Sequence, residues 1–236
     1  ADEVAQLAGT FNGMLDRLEH AFADQRQFLD DASHELRTPI TIVRGNLETL
    51  SEVPAERAAS MAVVLDELDR MGRLVEDLLT LARSDGPDFV VLGSVELSEL
   101  TLGVLTRARS LADRDWQLDE VGAGFFSADE QRVLQAMLQL AENAVAHTEP
   151  GDLIRIGSAI SGDSVDLWVH DSGPGIAPEQ RARVLERFVR AGTSRADGAG
   201  LGLAIVAGIA RAHHGEVVID DTVAGARVRL HLPVRG

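Results

Sequence analysis

Met61, Leu65, Leu68, Gly72, Val75, Leu79 and Ala82 recur at spacings of 4, 3, 4, 3, 4 and 3. That is the apolar seam of a helix packed against other helices in coiled-coil register. The chain opens in the same way, with Val4, Leu7, Phe11, Met14, Leu18 and Ala21 at spacings of 3, 4, 3, 4 and 3. Gln25 falls where the next apolar residue is due, and the pattern resumes at Phe28 and Leu29 and runs through Leu36, Ile40, Val43, Leu47 and Leu50. The shift at Gln25 predicts the end of one helical module and the start of another. Between the two long stripes, "SEVPAE" at 51–56 reads as a turn in which Pro54 stops one helix and begins the next. Two heptad helices joined by a short turn form an antiparallel hairpin. One hairpin has too little core of its own, so two are expected to pack as a four-helix bundle in a homodimer.

The periodicity changes after "RSDGPD" at 83–88, a linker of turn residues. "DFVVLG" and "WQLDE" read as short strands around a helix at about 96–113, and 127–148 as a helix with Ser127 at its N-cap. Strands "DLIRIGSAI" and "DSVDLWVHD" follow, then a helix "PEQRARVLERF", a Gly-rich segment, a helix at about 200–213 and the strands "EVVID" and "ARVRLHLP". Val165, Leu167 and Val169 alternate in one strand, and Val228, Leu230 and Leu232 alternate with Arg227, Arg229 and His231 in another. This half predicts an α/β sandwich with one sheet face under helices and the other exposed, so the fold class is α plus α/β.

The absence of cysteine excludes disulfide, zinc-thiolate and thiol chemistry. A net charge of −16 argues against general nucleic-acid binding, so an anionic ligand needs a local cationic patch. All 22 basic residues are arginine, so any basic side chain on a phosphate is a guanidinium. No apolar run is long enough to span a bilayer.

Several short segments carry candidate chemistry. "GAGLGLAIV" at 198–206 opens a helix with Gly198, Gly200 and Gly202, an arrangement that lets backbone amides approach phosphates. "HDSGPGIAPE" at 170–179 ends a strand with Asp171, Gly173 and Gly175; the carboxylate can accept from an exocyclic amine, and the segment reads equally as a polar turn. The helix 127–148 carries Glu142, Asn143 and His147, whose side-chain oxygens at 142 and 143 suit Mg2+. Arg181, Arg183, Arg187, Arg190 and Arg195 cluster beside the Gly-rich segment as a candidate phosphate clamp.

The order of these segments resembles that of the sensor histidine kinases. "FLDDASHELRTPI" is similar to their H box, "LQLAENAVAHT" to the N box, "DSGPGI" to the G1 box, "ERFVRA" to the F box and "GAGLGLAIV" to the G2 box. "DEVAQLAGTFNGMLDRLE" resembles the second helix of a HAMP linker. The resemblance implies three parts: 1–24, the end of a HAMP-like linker; 25–86, a dimerisation and phosphotransfer hairpin; and 87–236, a GHKL-type (Bergerat) ATP-binding domain. It also implies ATP and Mg2+ as ligands, a response-regulator receiver domain as partner, and anchoring at the cytoplasmic face of the membrane through a segment upstream of this one.

The resemblance makes His34 the phosphoacceptor. Imidazole, with a reference pKa of about 6.5, is a competent nucleophile when neutral. Glu35 would accept the proton from the far ring nitrogen, and Thr38, four residues on, would hold a water for dephosphorylation of the regulator. Pro39 removes the partner of the Glu35 carbonyl and predicts a bend beside His34. Asp171 would read the adenine amino group, with Gly173 and Gly175 admitting the ring. Asn143 would hold Mg2+ together with Gln139, which stands where an asparagine is frequent, and His147 belongs to the same nucleotide set. Phe188 would anchor a lid, Arg190 would reach a phosphate, and Gly198, Gly200 and Gly202 would wrap the phosphates. Ala146 replaces a frequent basic residue.

Overall fold

The computed structural model describes residues 2–51, 53–84, 86–189 and 199–235. It divides into two compact units, 1–75 and 76–236.

The first unit is helical. Helix α1 spans Asp2–Glu48, and α2 spans Pro54–Arg83, its residues 76–83 counting to the second unit. The change of apolar register at Gln25 leaves no break in α1, since glutamine is a good helix former and alters only which face is apolar. The helix also continues through Pro39, which is buried. The seam predicted on α2 is not the face buried within the chain: Leu65 remains 58% exposed and Leu68 48%. A second apolar line, Val64, Met71, Leu74, Leu78 and Leu81, runs beside it, and Val64, Leu74 and Leu81 are the buried residues. Helix α2 therefore has two apolar faces, one sequestered and one open.

The second unit is an α/β sandwich. Strand β1 (Gly93–Glu96) pairs antiparallel with β3 (Phe125–Ala128) in a small sheet. The main sheet has five strands in the order β2-β4-β5-β7-β6: Asp115–Val121, Leu153–Ser161, Ser164–Asp171, Arg227–Pro233 and Glu216–Ile219. Among the described residues only β2 and β4 pair in parallel. Helices α3 (Leu97–Ala108), α4 (Glu130–Ala146) and α5 (Gly202–Ala212) pack on one face. Ile154, Ile156, Val165, Leu167, Leu230, Leu232, Ile205 and Ile209 are almost wholly buried there. Each such side chain contributes about 1.5–3 kcal/mol relative to exposure.

The opposite face is polar. Arg229 donates to Asp166 at 2.9 Å and to Asp220 at 2.9 Å, and His231 pairs with Asp166 at 2.7 Å. Trp168 lies flat over Gly157 beneath the Arg227 guanidinium, 4.2 Å from its ring centre, and donates its indole N–H to Asp119.

Several boundaries differ from the sequence expectation. Helix α4 is capped by Asp129, whose Oδ1 accepts from the Arg132 N–H at 3.1 Å; Ser127 is drawn into the β1–β3 ladder instead. "PEQRARVLERF" forms two short 3-10 turns, 178–180 and 183–185, because Val184 alone in that stretch is buried and no apolar stripe supports a longer helix. The first strand is Gly93–Glu96 rather than "DFVVLG", with Val91 and Leu92 exposed before it. Helix α5 ends on His213, which is 3% exposed. Its Nδ1 donates to the Ile209 carbonyl at 2.8 Å, and its Nε2 accepts from the Asp129 N–H at 3.0 Å. Burial lowers its pKa.

Candidate functional site

Asp171 ends β5 opposite Ile154 and is 5% exposed. Its Oδ1 accepts from the N–H of Gly173 at 2.8 Å and of Ala226 at 3.2 Å. Burial pushes its carboxyl above the usual range, and the two N–H donors and the nearby His147 and His170 oppose that shift. One oxygen is thus fixed by backbone donors, which orients the group to accept a donor at the other.

The loop around Asp171 is held by close backbone approaches. A Cβ on Gly173 would stand 2.4 Å from the His147 carbonyl oxygen, so this loop seats directly on the end of α4. Gly225, at the β6–β7 turn, approaches from the other side, where a Cβ would lie 1.7 Å from the Asp171 carbonyl oxygen. The Thr222 hydroxyl donates to the Gly225 carbonyl at 2.6 Å. Gly175 lies against the same Gly225 carbonyl. Sequence reasoning missed Gly225, since "TVAGAR" offers nothing beyond a turn between strands.

Helix α4 runs beside this loop. Gln139 and Asn143, one turn apart, are both half-buried, and Glu142 is exposed. A Cβ on Gly202 would stand 2.7 Å from Gln139 Oε1, so the first turn of α5 abuts Gln139. His147 is the C-cap of α4. The backbone N–H of Phe188 donates to the carbonyl of Gly200 at 2.9 Å. Arg190 and Gly198, with Arg195 of the basic cluster, lie outside the described residues. Arg181 forms an ion pair with the exposed Asp221 at 2.6 Å.

No group of three or more histidine and carboxylate side chains forms a metal cage among the described residues. Two amide side chains on α4 instead suit Mg2+, a cation that keeps waters and takes its other ligands from substrate phosphates.

His34, Glu35 and Thr38 belong to the helical unit. His34 and Thr38 are exposed on α1, and Glu35 is half-buried. The neighbouring hydroxyls of Ser33 and Thr41 bond back to helical carbonyls, at 2.7 and 2.9 Å. Among the described residues Thr38 makes no such bond, and the residue is exposed.

Two family models match. Residues 24–87 fit the His Kinase A (phospho-acceptor) domain, and residues 128–236 the histidine kinase-, DNA gyrase B- and HSP90-like ATPase. The signal transduction histidine-protein kinase/phosphatase MprB of Mycolicibacterium vanbaalenii is 37% identical over 95% of the chain and 48% of its own length. The chain thus spans about half the length of the curated relatives it matches. A solved mycobacterial sensor histidine kinase MprB aligns at 30% identity and TM-score 0.54, over 61% of this chain and 99% of that one. Full-length ShkA in complex with AMPPNP aligns at 31% identity and TM-score 0.62, over 88% of this chain and 45% of that one. No described helix is long and apolar enough to cross a membrane.

Proposed function

Because the chain belongs to the sensor histidine kinases, we propose that it phosphorylates itself on His34 from ATP and passes the phosphoryl group to an aspartate of a response regulator. The observation that carries this reading is an exposed imidazole on α1 in the same chain as a buried, oriented carboxylate, Asp171, at the mouth of the ATPase-type sandwich. Residues 25–86 serve as the dimerisation and phosphotransfer hairpin, 87–236 as the catalytic domain and 1–24 as the end of a HAMP-like linker. The open apolar face of α2, with Leu65, Leu68, Val75 and Leu79 each more than 40% exposed, calls for a second copy of the hairpin.

Asp171 accepts from the adenine amino group, while Gly173 and Gly175 keep the wall thin enough for the ring. Asn143 and Gln139 hold Mg2+, which neutralises phosphate charge when bound. A lone pair of the His34 imidazole attacks the γ-phosphorus; the P–N bond forms as the bond to the bridging oxygen breaks, and ADP departs. Glu35 takes the proton from the other ring nitrogen. Phosphoryl transfer depends chiefly on this alignment and on charge neutralisation.

Phosphatase activity toward the regulator is a second reading, favoured by the exposed Thr38 one helical turn from His34. Incubation with γ-labelled ATP tests the first reading. Label that is lost in acid and kept in alkali is expected, and a chain that takes up no label would refute it.

A further inference from the structure

Arg114 stands in the loop between α3 and β2, outside every motif above. Its guanidinium grips the far end of α4. Nε donates to the Thr148 hydroxyl at 2.9 Å, and Nη2 donates to the carbonyls of Thr148 at 2.8 Å and Val145 at 3.3 Å. Nη1 donates to the Asp113 carbonyl of its own loop at 2.8 Å. The Thr148 hydroxyl in turn donates to the Ala144 carbonyl at 2.8 Å. The last carbonyls of a helix lack intrahelical partners, and a cation there complements the helix dipole. Helix α4 has no basic residue in its own last turn, so this cation comes from elsewhere in the chain.

The same turn supports the nucleotide loop. The His147 carbonyl, between the two carbonyls that Arg114 holds, is the surface on which Gly173 seats. The Gly173 N–H then fixes Asp171 Oδ1. An unbroken line of direct contacts or adjacent residues joins Arg114 to the carboxylate: Arg114 to Thr148 and Val145, then His147, Gly173 and Asp171.

We propose that Arg114 is a positioning residue for the nucleotide site. By fixing the last turn of α4 it sets where the Asp171 carboxylate stands against the adenine ring. The inference rests on the reading that Asp171 receives the adenine amino group. Three differently directed donors are needed, which a planar guanidinium supplies and an ammonium reproduces only in part.

The test measures ATP and GTP affinity by calorimetry on the full chain, at a temperature where circular dichroism shows every variant folded. Arg114→Met is expected to weaken ATP binding about tenfold, equivalent to about 1.4 kcal/mol, and to narrow the preference for ATP over GTP. Arg114→Lys should fall between Arg114→Met and the wild type. Thr148→Val, which removes the Nε acceptor and the hydroxyl's bond to the Ala144 carbonyl but leaves the two carbonyls that Nη2 holds, should shift both quantities the same way by less, and it carries the test if Arg114→Met does not fold. Arg114 and Thr148 variants that lose melting temperature but keep wild-type ATP affinity and nucleotide preference would overturn the inference, because that is the signature of a purely structural clamp. Asp171→Asn is the control on the underlying reading. If it binds and discriminates like the wild type, that reading fails and the inference with it; if it loses discrimination while the Arg114 variants do not, the inference fails alone.

Discussion

The backbone N–H of Phe188 bonds to the carbonyl of Gly200 at 2.9 Å, and both residues have left-handed φ, 61° and 71°. Such a φ is uncommon for a phenylalanine and is held here by the pairing. The bond ties the "ERFVRA" segment to the residues just before α5. A Cβ on Gly200 would stand 2.8 Å from the Val189 carbonyl oxygen and 2.9 Å from the Phe188 carbonyl carbon. Gly200→Ala should therefore break this tie and lower ATP affinity about tenfold, measured by calorimetry. Wild-type affinity in Gly200→Ala would show that the pairing is irrelevant to the nucleotide.

His34→Gln should abolish incorporation of γ-phosphate while ATP binding stays at the wild-type level. His34 lies in unit 1–75 and the residues proposed to hold the nucleotide in 76–236. Labelling of the variant protein, followed by calorimetry on the same preparation, checks both halves. Label on the glutamine variant would move the phosphoacceptor elsewhere.

Thr38→Ala should keep most autokinase activity and lose most phosphatase activity toward the regulator. Loss of one water-positioning hydrogen bond costs on the order of 1–3 kcal/mol, about tenfold to a hundredfold in rate. Thr38→Ser, which retains the hydroxyl, should restore the phosphatase. An equal fall in both rates for Thr38→Ala would refute the role.

Leu65→Glu should weaken self-association. It places a charge on the open face of α2, where Leu65 is 58% exposed. Burying a leucine contributes about 1.5–3 kcal/mol, and a symmetric dimer loses two of them. Sedimentation across a concentration series should show a dissociation constant raised at least about tenfold. A wild-type monomer at high micromolar concentration would sink the prediction outright.

Acid should destabilise the catalytic unit through His213. Its folded pKa is lowered by burial, opposed by the bond to Ile209 and by Asp129, with the His214 charge acting in the same direction as burial. Above the unfolded value of about 6.5 the ring is neutral in both states and its contribution is fully present. As pH falls from there through the lower folded pKa, the unfolded chain binds the proton first and stability is lost. Protonation also removes the acceptor for the Asp129 N–H. Asp171 works in the opposite sense: its raised pKa gives stability that is present at low pH and lost as pH rises through the folded value. Urea melts between pH 7 and pH 5 should show a shallower acid slope in His213→Asn than in the wild type, and parallel slopes would exclude His213.

What was legible in the sequence follows from how local the cause is. The alternation at Val165, Leu167 and Val169 survives because burial on one sheet face enforces a period of two, and those residues are buried on that face. Two capping residues, Ser127 and Asp129, compete within three positions; pairing of Ser127 with Ser94 on β1 decides between them, and a local reading cannot see that partner. The second apolar line on α2 was not legible for a related reason. Two apolar lines run side by side, and periodicity alone does not say which one the chain covers itself. Asp171, Gly173 and Gly175 could be read from one short motif. Gly225 and Arg114 could not, because each acts on a residue more than 30 positions away in the chain.

Trp168 under Arg227, and Trp116 at 7% exposure, are the chain's only two tryptophans, and it has no tyrosine. Both belong to the sheet of unit 76–236, and residues 1–75 contain neither. Intrinsic indole emission is therefore a private reporter of the sandwich, whereas far-ultraviolet ellipticity is weighted toward α1 and α2. Recorded together during chemical denaturation, the two signals separate the melting of the sandwich from that of the hairpin. Coincident curves would mark one cooperative transition, and split curves two units that open independently.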